Sequence, residues 1–178
     1  MIHLVTGGAR SGKSRWAEQQ LLAHRGPVCY VATAEVFDAE FAARVDHHRA
    51  RRPAQWQQVD AGRDLAGALQ EHARADGLML VDCLGMWLMR FFDRADVFDA
   101  EAFAAACTEL TTTLPLLAGG IVLVTNEVGW GVVPAQQVTR RFVDELGRLN
   151  QTLAAVSDEV TLVACGLPLA LKRVEGRR

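Results

Sequence analysis

Short, nearly continuous apolar runs alternate along this chain with longer stretches in which apolar residues recur every three or four positions. The runs are Ile2–Thr6, Pro27–Thr33, Leu78–Asp82, Ile121–Thr125 and Glu159–Ala164, all rich in Val, Ile and Leu. Strands of that kind are buried on both faces, as in a mainly parallel sheet. The stretches between them predict helices over 13–24, about 38–51, 64–75, 84–93, 99–117 and 136–156. Pro53 disfavours helical geometry at Arg52, so the second of these should stop near Arg51. Alternating strand and helix means α/β: a three-layer fold, its central sheet mainly parallel, with helices on both faces. No repeat, low-complexity tract or linker interrupts the pattern, so residues 1–178 are expected to form one domain. The polar tail from Lys172 to Arg178 is expected to fray.

Composition narrows the function classes. Half of the 178 residues are hydrophobic and the net charge is −2, which argues against a dedicated nucleic-acid binder. The opening Met-Ile-His-Leu-Val lacks the basic start and long apolar core of a secretory signal. No apolar run reaches membrane-spanning length, so no membrane insertion is expected. Cys29, Cys83, Cys107 and Cys165 show no C-x-x-C spacing. They read as small core residues in a reducing compartment, not as disulfides or zinc ligands. A cytoplasmic location follows from that reading.

The chemistry enters directly after the first apolar run. Gly7-Gly8-Ala9-Arg10-Ser11-Gly12-Lys13-Ser14 is the pattern G-x-x-x-x-G-K-[ST] of a P-loop, in the strand-to-helix context it requires. Its glycines let backbone N–H groups turn inward toward phosphate oxygens. Lys13 is placed for the β- and γ-phosphates, Ser14 for Mg²⁺, and the start of the next helix adds partial positive charge. The substrate is therefore a nucleoside triphosphate. Asp82, at the end of a buried strand, is the expected partner of Ser14 at the metal; a helix N-cap is the competing role.

In open parallel sheets ligands gather at the carboxyl ends of the strands. Val31-Ala32-Thr33, Asp82 and Thr125-Asn126-Glu127 all end there. Asn126 and Glu127 are placed to orient a substrate hydroxyl, and Trp130 either stacks on a ring or packs its loop. On a helical wheel over 38–51, His48 shares a face with Phe41 and Val45, which suits packing or capping. His47 falls between Arg44 and Arg51. That arrangement fits a plain basic helix face. It also fits a nucleophile beside a triphosphate, because arginines bind phosphate and favour the neutral imidazole.

Taken together these blocks resemble the bifunctional adenosylcobinamide kinase/adenosylcobinamide-phosphate guanylyltransferase family of adenosylcobalamin biosynthesis. The resemblance spans nearly the whole chain: Leu-Val-Thr-Gly-Gly-Ala-Arg-Ser-Gly-Lys-Ser, Tyr-Val-Ala-Thr, Ala-Arg-Val-Asp-His-His-Arg with Arg52-Pro53-Ala54, Val-Asp-Cys-Leu, Val-Thr-Asn-Glu-Val-Gly-Trp-Gly-Val-Val-Pro, and the 147–154 helix with Asn150. It implies a RecA-like P-loop NTPase fold and two reactions. ATP or GTP phosphorylates adenosylcobinamide. GTP then gives GMP to a histidine, which passes it to adenosylcobinamide phosphate to form adenosylcobinamide-GDP. The family motif maps the guanylylated residue to His47. It maps nucleotide contacts to Gly7–Ser14, Ala32-Thr33-Ala34, His48-Arg49-Ala50-Arg51, Asp60 and Asp82. It also implies a homo-oligomer, a trimer in some members.

Two places depart from the family pattern. Asp60 stands where Glu is more frequent. Gly85 and Arg90 replace a small hydroxyl residue and a later Asn. A single-activity P-loop kinase of a small hydroxyl substrate is the alternative reading. A nucleotide-dependent switch of RecA-like type is a third, and no basic DNA-binding stretch supports it.

Overall fold

The computed structural model describes residues 1–35 and 52–173. The helix expected over 38–51, with His47, His48, Arg49, Ala50 and Arg51, lies outside the described residues, as do residues 174–178.

Among the described residues seven strands form one sheet: β1 (Ile2–Thr6), β2 (Val28–Ala32), β3 (Gln57–Asp60), β4 (Leu78–Asp82), β5 (Gly120–Val124), β6 (Glu159–Ala164) and β7 (Leu167–Lys172). Their order is β3-β2-β4-β5-β1-β6-β7. Only the β6–β7 pair is antiparallel. The register sets Asp60, Ala32, Asp82, Val124, Val5 and Thr161 side by side across six strands. That row is the carboxyl edge of the sheet, where the glycine-rich loop also emerges.

Alternation along each strand divides the core. Ile2, Leu4, Val31, Met79, Val81, Ile121 and Leu123 face one side of the sheet. They pack against α2 (Leu65–His72), α3 (Leu84–Met89), α4 (Ala100–Thr113) and α5 (Gln137–Val156). Val5, Tyr30, Leu80, Val122 and Val124 face the other side, under Ala17 and Leu21 of α1 (Lys13–Leu22). Both faces of the central strands are thus covered, as their unbroken hydrophobicity predicts. Asp64 and Asp99 cap α2 and α4, accepting from Gly67 N at 2.8 Å and Ala102 N at 3.2 Å.

The helices run shorter than their periodicity suggests. Pro115 tightens the end of the helix expected over 99–117 into a 3-10 turn at Leu114–Leu116. The stretch 84–93 stops being helical after Met89, where Phe92 instead bridges Phe98. Two strands were not expected. β3 reads Gln-Gln-Val-Asp and lies mostly exposed at one edge of the sheet. β7 occupies the segment whose end was expected to fray: Lys172 is its last residue, and its Nζ donates to the carbonyls of Ala154 and Ala155 at 3.0 and 3.1 Å, capping α5. The reading of all four cysteines as core residues also needs correction. Cys29 is buried, but Cys165 is exposed. It forms the β6–β7 turn with φ 53°, ahead of Gly166 at φ 79°.

Candidate functional site: a phosphate cavity at the sheet edge

The chain leaves β1 through Gly7 and Gly8 and enters α1 at Gly12. A Cβ on Gly7 would collide with the Val163 carbonyl and stand 2.7 Å from Ser11 Oγ. Gly12 caps α1 with φ 92°, which favours glycine. Ser11 N donates to Gly8 O at 3.2 Å, and Gly166 N, from the β6–β7 turn, donates to Ser11 O at 2.8 Å. The loop is therefore closed on itself and braced from the far side of β1.

Lys13 is buried at 8 % exposure, and its Nζ donates to Gly8 O at 3.2 Å. Burial pulls its ammonium below the ordinary value, against the opposing pull of Cys83 and Asp82. Ser14 Oγ donates to Asp82 Oδ1 at 3.2 Å. Asp82 is not the cap of the following helix; that position belongs to Cys83. Burial, and then Asp82, push the Cys83 thiol up to about 11, so it stays protonated and inert.

These groups line a cavity of about 540 Å³. Of the residues expected at the nucleotide, Ala9, Arg10, Ser11, Gly12, Lys13, Ser14, Ala32, Ala34 and Asp82 line it. Thr33 is buried behind it, its Oγ1 donating to Cys83 O at 2.7 Å. Asp60 does not line it: it stands beside the lining Ala32 in the β2–β3 register and accepts from Gly62 N at 2.9 Å and Arg90 Nη2 at 2.7 Å. Asn126 also lines the cavity. Its Oδ1 is buried without a hydrogen-bond partner among the described residues, as is Ser11 Oγ. Glu127 does not line it: the carboxylate accepts from Thr6 Oγ1 at 3.0 Å and its N–H donates to Gly7 O at 3.1 Å. Trp130 is 73 % exposed and does not pack its loop.

The sequence reading missed Tyr30, Arg52, Gln58, Cys83 and Met86 in the lining. Tyr30 carried no signal, because its position in a strand reads as core. Its ring lies 3.2 Å beneath the Arg52 guanidinium, whose Nε is 3.5 Å from Glu18 Oε1 on α1. Ala34 and Arg52, the described residues nearest either end of 36–51 on this wall, both face the cavity.

Ser14 Oγ and Asp82 Oδ1 form a hard oxygen pair suited to a small divalent cation. No group of three or more metal-ligating side chains occurs among the described residues. Two protein oxygens plus phosphate oxygens is the donor set expected where a metal arrives with its nucleotide.

Strand β5 separates the loop strand β1 from the Asp82 strand β4, and with the braced loop this makes the molecule a P-loop NTPase of RecA-like arrangement. Solved structures agree on the fold. The chain is similar to a prototypical ATPase from the type III secretion system of pathogenic bacteria, with TM-score 0.54 and 12 % identity over 95 % of this chain and 56 % of that one. It is likewise similar to the RadB recombinase, with TM-score 0.54 and 17 % identity over 90 % of this chain and 73 % of that one.

The chain belongs to the cobinamide kinase / cobinamide phosphate guanyltransferase family, which matches residues 3–171. It is 44 % identical to the bifunctional adenosylcobalamin biosynthesis protein CobP of Pseudomonas aeruginosa, over 97 % of this chain and 98 % of that one. It is 37 % identical to the CobU protein of the same description from Salmonella typhimurium, over 97 % of this chain and all of that one. It is thus a transferase of cobalamin biosynthesis. Among the described residues no helix is long and apolar enough to cross a membrane.

Proposed function

We propose that the cavity at the carboxyl edge of the sheet serves both reactions of the family, with residues 1–178 acting as one nucleotide-binding unit. In the first, the γ-phosphoryl group of ATP or GTP passes to the aminopropanol hydroxyl of adenosylcobinamide. In the second, a ring nitrogen of His47 attacks the α-phosphorus of GTP and pyrophosphate leaves. The phosphate of adenosylcobinamide phosphate then breaks the N–P bond, takes the GMP and gives adenosylcobinamide-GDP.

The observation that carries this reading is the Lys13–Ser14–Asp82 group inside a cavity that Ala34 and Arg52 also line. Ala34 and Arg52, described residues on either side of the segment that holds His47, both line this cavity. The loop amides and Lys13 hold the triphosphate. Ser14 and Asp82 hold Mg²⁺, which supplies charge neutralisation at the phosphates. Ala32, Thr33, Ala34 and the His48–Arg51 stretch complete the nucleotide site, and Asp60, paired with Arg90, stands beside it. His47 needs a neutral imidazole to attack, and adjacent arginines favour that form. A cytoplasmic location is part of this proposal, supported by cysteines that lack disulfide or zinc spacing. Copies of the chain are proposed to assemble as a homo-oligomer.

Incubation with α-labelled GTP tests the covalent step. An acid-labile, base-stable label on the protein is expected. His47→Asn should lose it while still binding nucleotide, and His48→Asn should keep it. An adduct mapped to His48 by mass spectrometry overturns the assignment. Phosphoryl transfer from γ-labelled nucleotide without any adduct leaves a single-activity kinase.

A further inference from the structure

The short helix α3 fastens the wall of the cavity at both of its ends. At its start, the Cys83 carbonyl accepts the Thr33 hydroxyl at 2.7 Å. Just past its end, Arg90 Nε donates to the Thr33 carbonyl at 2.6 Å. Arg90 Nη2 donates to the Ala34 carbonyl at 3.1 Å and to Asp60 Oδ1 at 2.7 Å. The Arg90 backbone is held in turn: its carbonyl accepts from Arg63 Nε at 2.7 Å, and Trp87 Nε1 donates to Arg63 O at 2.9 Å. The Arg90 side chain is 13 % exposed, whereas that of Asp60 is 62 % exposed. Arg90 does not line the cavity.

We propose that Arg90 is a positioning residue for nucleotide binding, fixing the Thr33–Ala34 backbone and neutralising Asp60 beside the phosphate cavity. The inference rests on the nucleotide-site reading above. Asp60 and Asp82 stand in one register row, separated only by Ala32. A polyanionic ligand approaching that row meets two carboxylates. Asp82 has Ser14 and the incoming cation to offset its charge. Asp60 has Arg90. The guanidinium answers three acceptors from one rigid plane, which the single ammonium of a lysine cannot reproduce.

Calorimetry with a non-hydrolysable GTP analogue, alongside steady-state kinetics, tests this. Arg90→Ala should weaken analogue binding by about tenfold, the loss of one charge-assisted contact, with kcat at saturation nearly unchanged. Adding Asp60→Asn to Arg90→Ala should recover part of the affinity, because the uncompensated carboxylate is gone; a role in folding alone predicts no such rescue. Arg90→Lys keeps the charge and should give an intermediate loss. If Arg90→Ala does not fold, Arg90→Lys with and without Asp60→Asn decides. Wild-type affinity in the Arg90 variants, or a double variant no better than the single one, overturns the inference. A wild-type protein that binds no analogue overturns the nucleotide-site reading with it.

Discussion

Lys13 has little room and few partners for a charged amine. Burial lowers its pKa from the ordinary 10.5, and Cys83 and Asp82 only partly offset this. Phosphate oxygens brought beside it stabilise the ammonium and move the value back up. Bound and free protein therefore differ in protonation between the free protein's depressed value and the higher bound one, and in that range nucleotide binding should take up protons. Affinity should be full below the depressed value and should fall as pH rises through it. Calorimetry in buffers of different ionisation heat should show the uptake, and Lys13→Ala should abolish it along with most of the affinity. The Lys13 role was legible because the loop pattern fixes where its side chain goes. Arg52 and Tyr30 were not: their contact joins a residue inside β2 to one in the connection leading to β3, and no local spacing announces it. Asn126 was legible only by its place at a strand end. Its buried, unanswered Oδ1 is a property of packing.

At the level of elements, the central strands were legible because burial on both faces leaves almost no polar residue in them. β3 was missed for the opposite reason, because Gln-Gln-Val-Asp shows a mostly polar face to solvent at the sheet edge, and in β7 Pro168 interrupts a short apolar run. Helix ends were overrun where a proline or an aromatic bridge, not periodicity, decides the stop. α3 offers a measurable test of how well an element is fitted to its neighbours. A Cβ at Gly85, in its first turn, would lie 3.7 Å from Asn126 Nδ2, Leu146 Cδ2 and Phe142 Cζ, all ordinary contacts. Serine is a better helix former than glycine by about 0.5 kcal/mol, and a hydroxyl carried on that Cβ can accept from Asn126 Nδ2. Gly85→Ser should raise the melting temperature by about 2–4 °C, the shift expected for roughly 1 kcal/mol in a domain of this size. Gly85→Ala is the control, since it adds the same Cβ and more helix propensity without the hydroxyl. A serine variant melting above the alanine one shows the amide satisfied; one melting below it shows that it is not.

At the scale of the molecule, exposed apolar residues of the described chain cluster on β7 at one end of the sheet and on the loop after β5. Leu167, Leu169 and Leu171 of β7 are 72 %, 59 % and 58 % exposed. As alternate residues of a strand they share one face, while Pro168, Ala170 and Lys172 line a separate cavity against Trp16 and Glu159. Trp130 and Val132, in the loop after β5, are 73 % and 97 % exposed. An edge strand with a row of leucines and free backbone groups is a liability unless another chain covers it. A second copy of this chain is the occupant that suits the proposed homo-oligomer. The turn leading into β7 also touches the phosphate loop, through Gly166 N to Ser11 O at 2.8 Å, so assembly along this edge would bring a neighbouring copy toward the nucleotide site. Sedimentation equilibrium of the purified protein should therefore give a multiple of the monomer mass. Leu169→Lys should shift it toward monomer while circular dichroism stays unchanged, because Leu169 buries little within its own subunit. If assembly also supports the site, the monomeric variant should bind the GTP analogue more weakly. A wild-type protein that sediments as a monomer, or a Leu169→Lys variant with undiminished mass, would show that β7 is not the contact.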